Sequence, residues 1–91
     1  MKTYNNRNEV IDDLKGIIAD TLNGGLGKEK VTEEADFRTT FLVFNAEVGR
    51  LATPLNKAFG CNLTPDAARC FQNAGGIVNW LEEKGFICYN L

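Results

Sequence analysis

Between Phe37 and Leu55 the apolar residues Phe37, Phe41, Phe44, Val48, Leu51 and Leu55 recur at steps of 4, 3, 4, 3 and 4. Only a helix, with its 3.6-residue turn, brings such a series onto one face. The stripe predicts helix through the middle of the chain, with that face in the core. Pro54 interrupts it. Inside a helix the proline ring removes a hydrogen bond and clashes with the carbonyl four residues back, here Arg50, at a cost of about 3 kcal/mol. Thr53-Pro54 also reads as a cap followed by Pro at the first helical position. The stripe is therefore one kinked helix or two helices meeting near Ala52, and Gly60 ends it after Phe59.

The flanks carry the same period. Val10, Ile11, Leu14, Ile17, Ile18 and Leu22 predict a first helix over 8–22, capped by Asn6 or Asn8 and closed by Asn23-Gly24-Gly25. A loop follows at 26–30, and Thr32-Glu33-Glu34-Ala35 can open a turn of helix. Thr64-Pro65-Asp66 starts a short helix over 65–71. Asn73 caps a last one over 74–84, with Ile77, Val78, Trp80 and Leu81 inward and Lys84-Gly85 at its end. Residues 1–6 are expected to fray. Phe86-Ile87-Cys88-Tyr89 is expected to pack back on the helices rather than form a strand, since no second strand candidate is evident. The prediction is an all-α fold, one domain over 1–91, with helices at 8–22, 44–59, 65–71 and 74–84.

Composition narrows the chemistry. The 91 residues contain neither His nor Ser. Ser/His and Cys/His nucleophile–base pairs are impossible, as are His metal ligands, so an enzyme is not expected. Twelve acids against ten bases leave a net charge of −2, without the basic footprint of a nucleic-acid binder. No apolar run has the length of a membrane span, and the polar start of the chain is unlike a signal peptide. Cys61, Cys70 and Cys88, spaced by 9 and 18, match no zinc or redox pattern. They read as small core or part-buried thiols of a cytoplasmic protein.

The order of residues resembles the acyl carrier protein family. Leu14-Lys15-Gly16-Ile17-Ile18-Ala19-Asp20-Thr21-Leu22 is similar to the family's opening helix. Val31-Thr32-Glu33-Glu34-Ala35-Asp36-Phe37 is similar to its V-T-x-x-A-x-F stretch. Leu51, Leu55 and Phe59 fall at core positions of its second helix, Ala68 and Phe71 in its short third, and Ile77, Val78, Trp80 and Leu81 in its fourth. The match needs no gap from Val31 to Leu81. The resemblance implies a four-helix bundle with a short third helix and a link to fatty-acid or natural-product biosynthesis.

The family's chemistry resides in Asp-Ser-Leu at the start of the second helix, where the Ser carries a phosphopantetheine arm. Here those positions read Phe44-Asn45-Ala46. Asn45 stands at the attachment position, and its amide nitrogen is too poor a nucleophile to accept a phosphodiester. Thr39, Thr40 and Thr53 lie several residues away, outside the geometry a transferase requires. The resemblance thus implies a carrier-like domain without its cofactor. Its expected work is contact with a protein partner, not with nucleic acid or membrane. Two alternatives stay open: a true carrier in which Asn45 has replaced a serine, and a bundle that holds an apolar ligand noncovalently.

Charge and apolarity suggest where a partner would sit. Residues 37–72 hold Glu47 and Asp66 against Arg38, Arg50, Lys57 and Arg69, a positive segment where the family is acidic. Residues 1–36 hold eight acids and five bases. In Thr40-Phe41-Leu42-Val43-Phe44, Phe41 and Phe44 lie on the core stripe and Leu42 and Val43 off it. Leu42, Val43, Arg50 and Lys57 are accordingly the candidate partner surface.

Overall fold

A computed structural model describes residues 2–22 and 27–90. In order these form β1 (Lys2–Tyr4), α1 (Arg7–Leu22), a single 3-10 turn (Lys28–Lys30), α2 (Phe37–Phe41), α3 (Asn45–Gly49), α4 (Ala52–Phe59), α5 (Pro65–Ala68), α6 (Ala74–Glu83) and β2 (Ile87–Tyr89). The described residues are predominantly helical, with one short parallel pair of strands. The predicted stop at Asn23-Gly24-Gly25 and the start of the following loop at Leu26 lie outside the described residues.

Helix α1 starts where Asn6 accepts the Glu9 amide at 3.1 Å. It turns Val10, Ile11, Leu14, Ile18, Ala19 and Leu22 into the core and packs along α6. The Thr64 hydroxyl accepts the Ala67 amide at 3.1 Å, with Pro65 in the first turn of α5. Asn73 accepts the Gly76 amide at 2.8 Å and opens α6. These three starts match the expectation. Helix α5 proper is shorter than 65–71, because Cys70 and Phe71 donate to carbonyls three residues back in tight turns.

The central stripe is divided twice. Asp36 accepts the amides of Arg38 and Thr39 and starts α2, a helix absent from the predicted set of four. Leu42 then enters the left-handed region at φ 57° and ψ 48° and stops it. The second break falls between Gly49 and Ala52, where Arg50 and Leu51 donate to Glu47 and Val48 three residues back. Pro54 is the third residue of α4, so its missing N–H is one that has no intrahelical partner in any case. The predicted break near Pro54 is present. The alternative start at Thr53-Pro54 is not, since Leu51 occupies the cap position.

The expectations for both ends of the chain are corrected. Lys2, Thr3 and Tyr4 pair in parallel with Ile87, Cys88 and Tyr89. Lys2 N–H donates to Phe86 O at 3.2 Å and Asn90 N–H to Tyr4 O at 2.8 Å. Three residues with a single buried side chain are too short to show an alternating pattern, which is why 1–6 read as frayed and 86–89 as unpaired. Tyr4 and Ile87 bury one side chain each against the core from the two strands.

One hydrophobic core runs from Tyr4 to Ile87 through Phe37, Phe41, Leu51, Leu55, Ile77 and Leu81. Trp80 is half-buried, stacked on Phe86 with ring centroids 5.5 Å apart and edge-on to Phe71 at 6.3 Å. Two glycines let backbone approach backbone. A Cβ on Gly75 would lie 3.1 Å from Glu33 O, and one on Gly49 would lie 3.1 Å from Pro65 O. The first seats α6 on the loop before α2, and the second seats α3 on α5.

Arg7 ties three segments together. Its Nε donates to Glu33 at 3.0 Å, its Nη1 to Glu82 at 3.3 Å, and its Nη2 to Gly75 O at 3.1 Å and Asn79 at 2.9 Å. The Tyr89 hydroxyl donates to the same Glu82 carboxylate. A lysine is a point charge and cannot reproduce this planar fork. Arg7→Met should lower stability by about 1–3 kcal/mol in urea unfolding, and Arg7→Lys should recover less than half of the loss.

Burial, with the bond to Glu82, pushes the Tyr89 phenol from its ordinary 10.0 up to about 12. Burial and Asp13 raise the Tyr4 phenol in the same direction, its hydroxyl lying 2.6 Å from the Asp13 carboxylate. The folded state therefore prefers both phenols neutral. The stability Tyr89 adds is complete below pH 10 and is lost as pH rises through about 12, and that of Tyr4 is lost at still higher pH. Base titration of the unfolding free energy should show this fall, and Tyr89→Phe should flatten it.

Candidate functional site

Of the residues singled out in the sequence, Leu42, Val43 and Asn45 lie at the junction of α2 and α3, whereas Arg50 follows α3 and Lys57 lies on α4. Leu42 ends α2 in the left-handed conformation, which costs a residue with a Cβ about 1–2 kcal/mol. The chain emerges extended through Phe44, at φ −99° and ψ 173°, and α3 begins at Asn45. Phe44 has no side-chain acceptor to cap that helix. Glu47 supplies half of a capping box instead, its carboxylate accepting the Phe44 amide at 2.5 Å.

Leu42 is 82% exposed and Phe44 79%, the only exposed large hydrophobic side chains among the described residues. Exposure of Leu42 was anticipated. That of Phe44 is a correction, because the stripe placed it in the core. The left-handed turn at Leu42 resets the helical phase between Phe41 and Val48, so Phe44 no longer shares their face. Val43 is half-buried against the core and only borders the patch. Burying a side chain of this size is worth about 1.5–3 kcal/mol, and here two remain in water.

Asn45 lies in the first turn of α3, exposed to solvent. Its Oδ1 accepts Arg38 Nε at 2.6 Å. The same guanidinium donates through Nη1 to Phe71 O at 3.1 Å and through Nη2 to Arg69 O at 2.7 Å. Those carbonyls belong to the end of α5 and the turn after it, which a cation suits. In the sequence Arg38 shows only its charge. Its pairing joins residues 7, 31 and 33 positions apart, and no local spacing signals that.

Arg50, at the C-cap of α3, and Lys57, on α4, are exposed, and with Ala46 and Thr53 they recur at steps of 4, 3 and 4, the spacing of one solvent-facing helical ridge. Neither forms an ion pair among the described residues. Arg69 pairs with Asp66 at 2.7 Å. The two acids of the 37–72 segment are thus both engaged, Glu47 with a backbone amide and Asp66 with Arg69. The unpaired charge on the ridge is positive.

The three cysteines are free thiols. Cys61 and Cys88 are part-buried as expected, whereas Cys70 is exposed, a correction that follows from its place in the turn after α5. Burial pushes the Cys61 thiol up, which disfavours the reactive thiolate. Among the described residues no group of three Cys, Asp or Glu side chains could hold a metal ion. No described helix is long and apolar enough to cross a membrane. A surface depression of about 340 Å³ is lined by Asp12, Lys15, Lys28 and Glu29, none of them among the predicted site residues. No model of a known protein family matches the chain.

Glycine adopts the left-handed region at no steric cost. Leu42→Gly should therefore raise stability by about 0.5–1 kcal/mol, although it deletes a large apolar side chain. Leu42→Val should lower it, since a β-branched residue suits that region least. Paired urea titrations check both. A loss of stability in Leu42→Gly would mean that the leucine packs on the protein in solution.

Proposed function

We propose that this protein is an acyl carrier protein-like domain without a phosphopantetheine arm, working as a protein-interaction or accessory module rather than as a carrier or an enzyme. The observation that carries the reading is Asn45. It lies in the first turn of α3, and its carboxamide is held by Arg38 at 2.6 Å. Leu42 and Phe44 before it are apolar and exposed, neither is acidic, and the chain contains no serine. The order of elements supports a bundle of that type. Helix α1 leads through a long connection to α3 and α4, which together occupy the span of a second helix, then to a short α5 and a final α6. The short α2 and the strand pair are additions to that plan. A link to fatty-acid or natural-product biosynthesis is part of the proposal.

Attachment of an arm transfers the phosphopantetheine phosphate to a hydroxyl. A carboxamide nitrogen, its lone pair delocalised into the carbonyl, does not replace one. After incubation with coenzyme A and a broad-specificity phosphopantetheinyl transferase, the intact mass of the unaltered protein should not change. Asn45→Ser alone should be modified little, because Phe44 and Ala46 also depart from Asp-Ser-Leu. The triple change Phe44→Asp, Asn45→Ser, Ala46→Leu should be modified more. A phosphopantetheine mass on the unaltered protein overturns the reading, with Thr39 or Thr40 then the first residues to map.

A further inference from the structure

Leu42 and Phe44 protrude at the one left-handed non-glycine residue among those described. The exposed side chains of Leu42 and Phe44 and the left-handed backbone at Leu42 are unfavourable to the fold, and such features concentrate at functional sites. Further along the chain the ridge through Arg50 and Lys57 carries unpaired positive charge, since Glu47 and Asp66 are engaged within the protein. We infer that this surface docks a partner protein through an apolar pocket fringed by carboxylates, Leu42 and Phe44 filling the pocket and Arg50 and Lys57 facing the acids. The inference rests on the interaction-module reading and names the chemistry of its partner.

A second copy of the chain fits this surface poorly. A two-fold contact of Leu42 and Phe44 with themselves would set each basic ridge beside the other. A head-to-tail contact could use the acids of α1, where Asp12, Asp13 and Asp20 are exposed, but no other large apolar side chain among the described residues is exposed there to receive Phe44. An anionic membrane surface is served by clusters of four to eight bases, and this ridge offers two that are unpaired. A dissimilar, acidic protein is what the charge and the apolar protrusion fit together.

The test is site-specific photo-crosslinking of the full chain in cells of its own source organism. Phe44→p-benzoylphenylalanine and Leu42→p-benzoylphenylalanine are the two probes, and the same residue at Asp20 on α1 is the control. One protein should be captured from positions 42 and 44 and not from 20, through a segment containing both acids and apolar residues. With that protein purified, Phe44→Ser and the pair Arg50→Glu, Lys57→Glu should each weaken binding at least tenfold. Raising NaCl from about 0.05 to 0.5 M should weaken the wild-type complex as well, because it screens exposed charges. Several outcomes overturn the inference: adducts only between copies of this chain, adducts to lipid, no protein adduct at either position, or a captured segment without acids whose binding ignores salt and charge reversal. The mass assay above is independent. An arm acquired there would end the non-carrier reading, whereas a failed crosslink ends only this one.

Discussion

The Arg38 guanidinium is the joint on which the α2–α5 half of the molecule depends. Three of its five donors are spent on three places that the chain brings together from different distances: Asn45 at the start of α3, Arg69 O at the end of α5 and Phe71 O in the turn beyond. Two short helices with weak intrinsic stability are thereby fixed against a third, since helices of four or five residues do not persist alone. The Phe37 amide reinforces the same seam by donating to Gln72 O at 2.8 Å. Phe37 and Phe41, both fully buried, anchor α2 from the opposite side. The geometry of the candidate site follows from this joint. Asn45 is held not by its own helix but by a cation from the preceding one.

Much of the helical layout was legible. Caps at Asp36, Thr64 and Asn73 are short-range chemistry, and a side chain that accepts an amide two or three residues on leaves its mark within one turn of sequence. Thr64 and Asn73 were read correctly. Asp36 leaves the same mark, but the apolar period from Phe37 to Leu55 runs past it and does not show that α2 is a separate helix. The buried faces of α1, α4 and α6 were legible for the same reason, since one apolar period survives wherever one helix does. Periodicity failed where the helix itself failed. The stripe has the correct spacing through Phe44, yet Leu42 breaks the phase, and nothing in Leu-Val-Phe announces a left-handed turn that glycine or asparagine would normally mark. The strand pair was illegible for another reason. It joins residues 85 apart, and each strand is only three residues long.

For the site, the position of Asn45 and the exposure of Leu42, Arg50 and Lys57 were accessible from the sequence. The exposure of Phe44 and the role of Arg38 were not. Both are tertiary facts, one produced by a backbone dihedral and the other by hydrogen bonds to main-chain carbonyls that every residue possesses. A count of charges gave the segment 37–72 a modest positive balance. The structure sharpens that balance by showing which charges are already engaged.

The engagement of Glu47 has a local cause with a wider effect. Helix α3 begins after a phenylalanine, which cannot cap it, so the only acid in that helix turns back to take the Phe44 amide. A carboxylate so committed is held beside its own helix start, where the macrodipole favours it, and is withdrawn from Arg50. The residue that exposes an aromatic ring to solvent therefore also engages the acid of its own helix, which is not paired with the ridge beyond it. Apolar protrusion and unpaired positive charge are in this respect one feature, produced by placing Phe44 where a helix ordinarily takes an Asp, Ser, Thr or Asn.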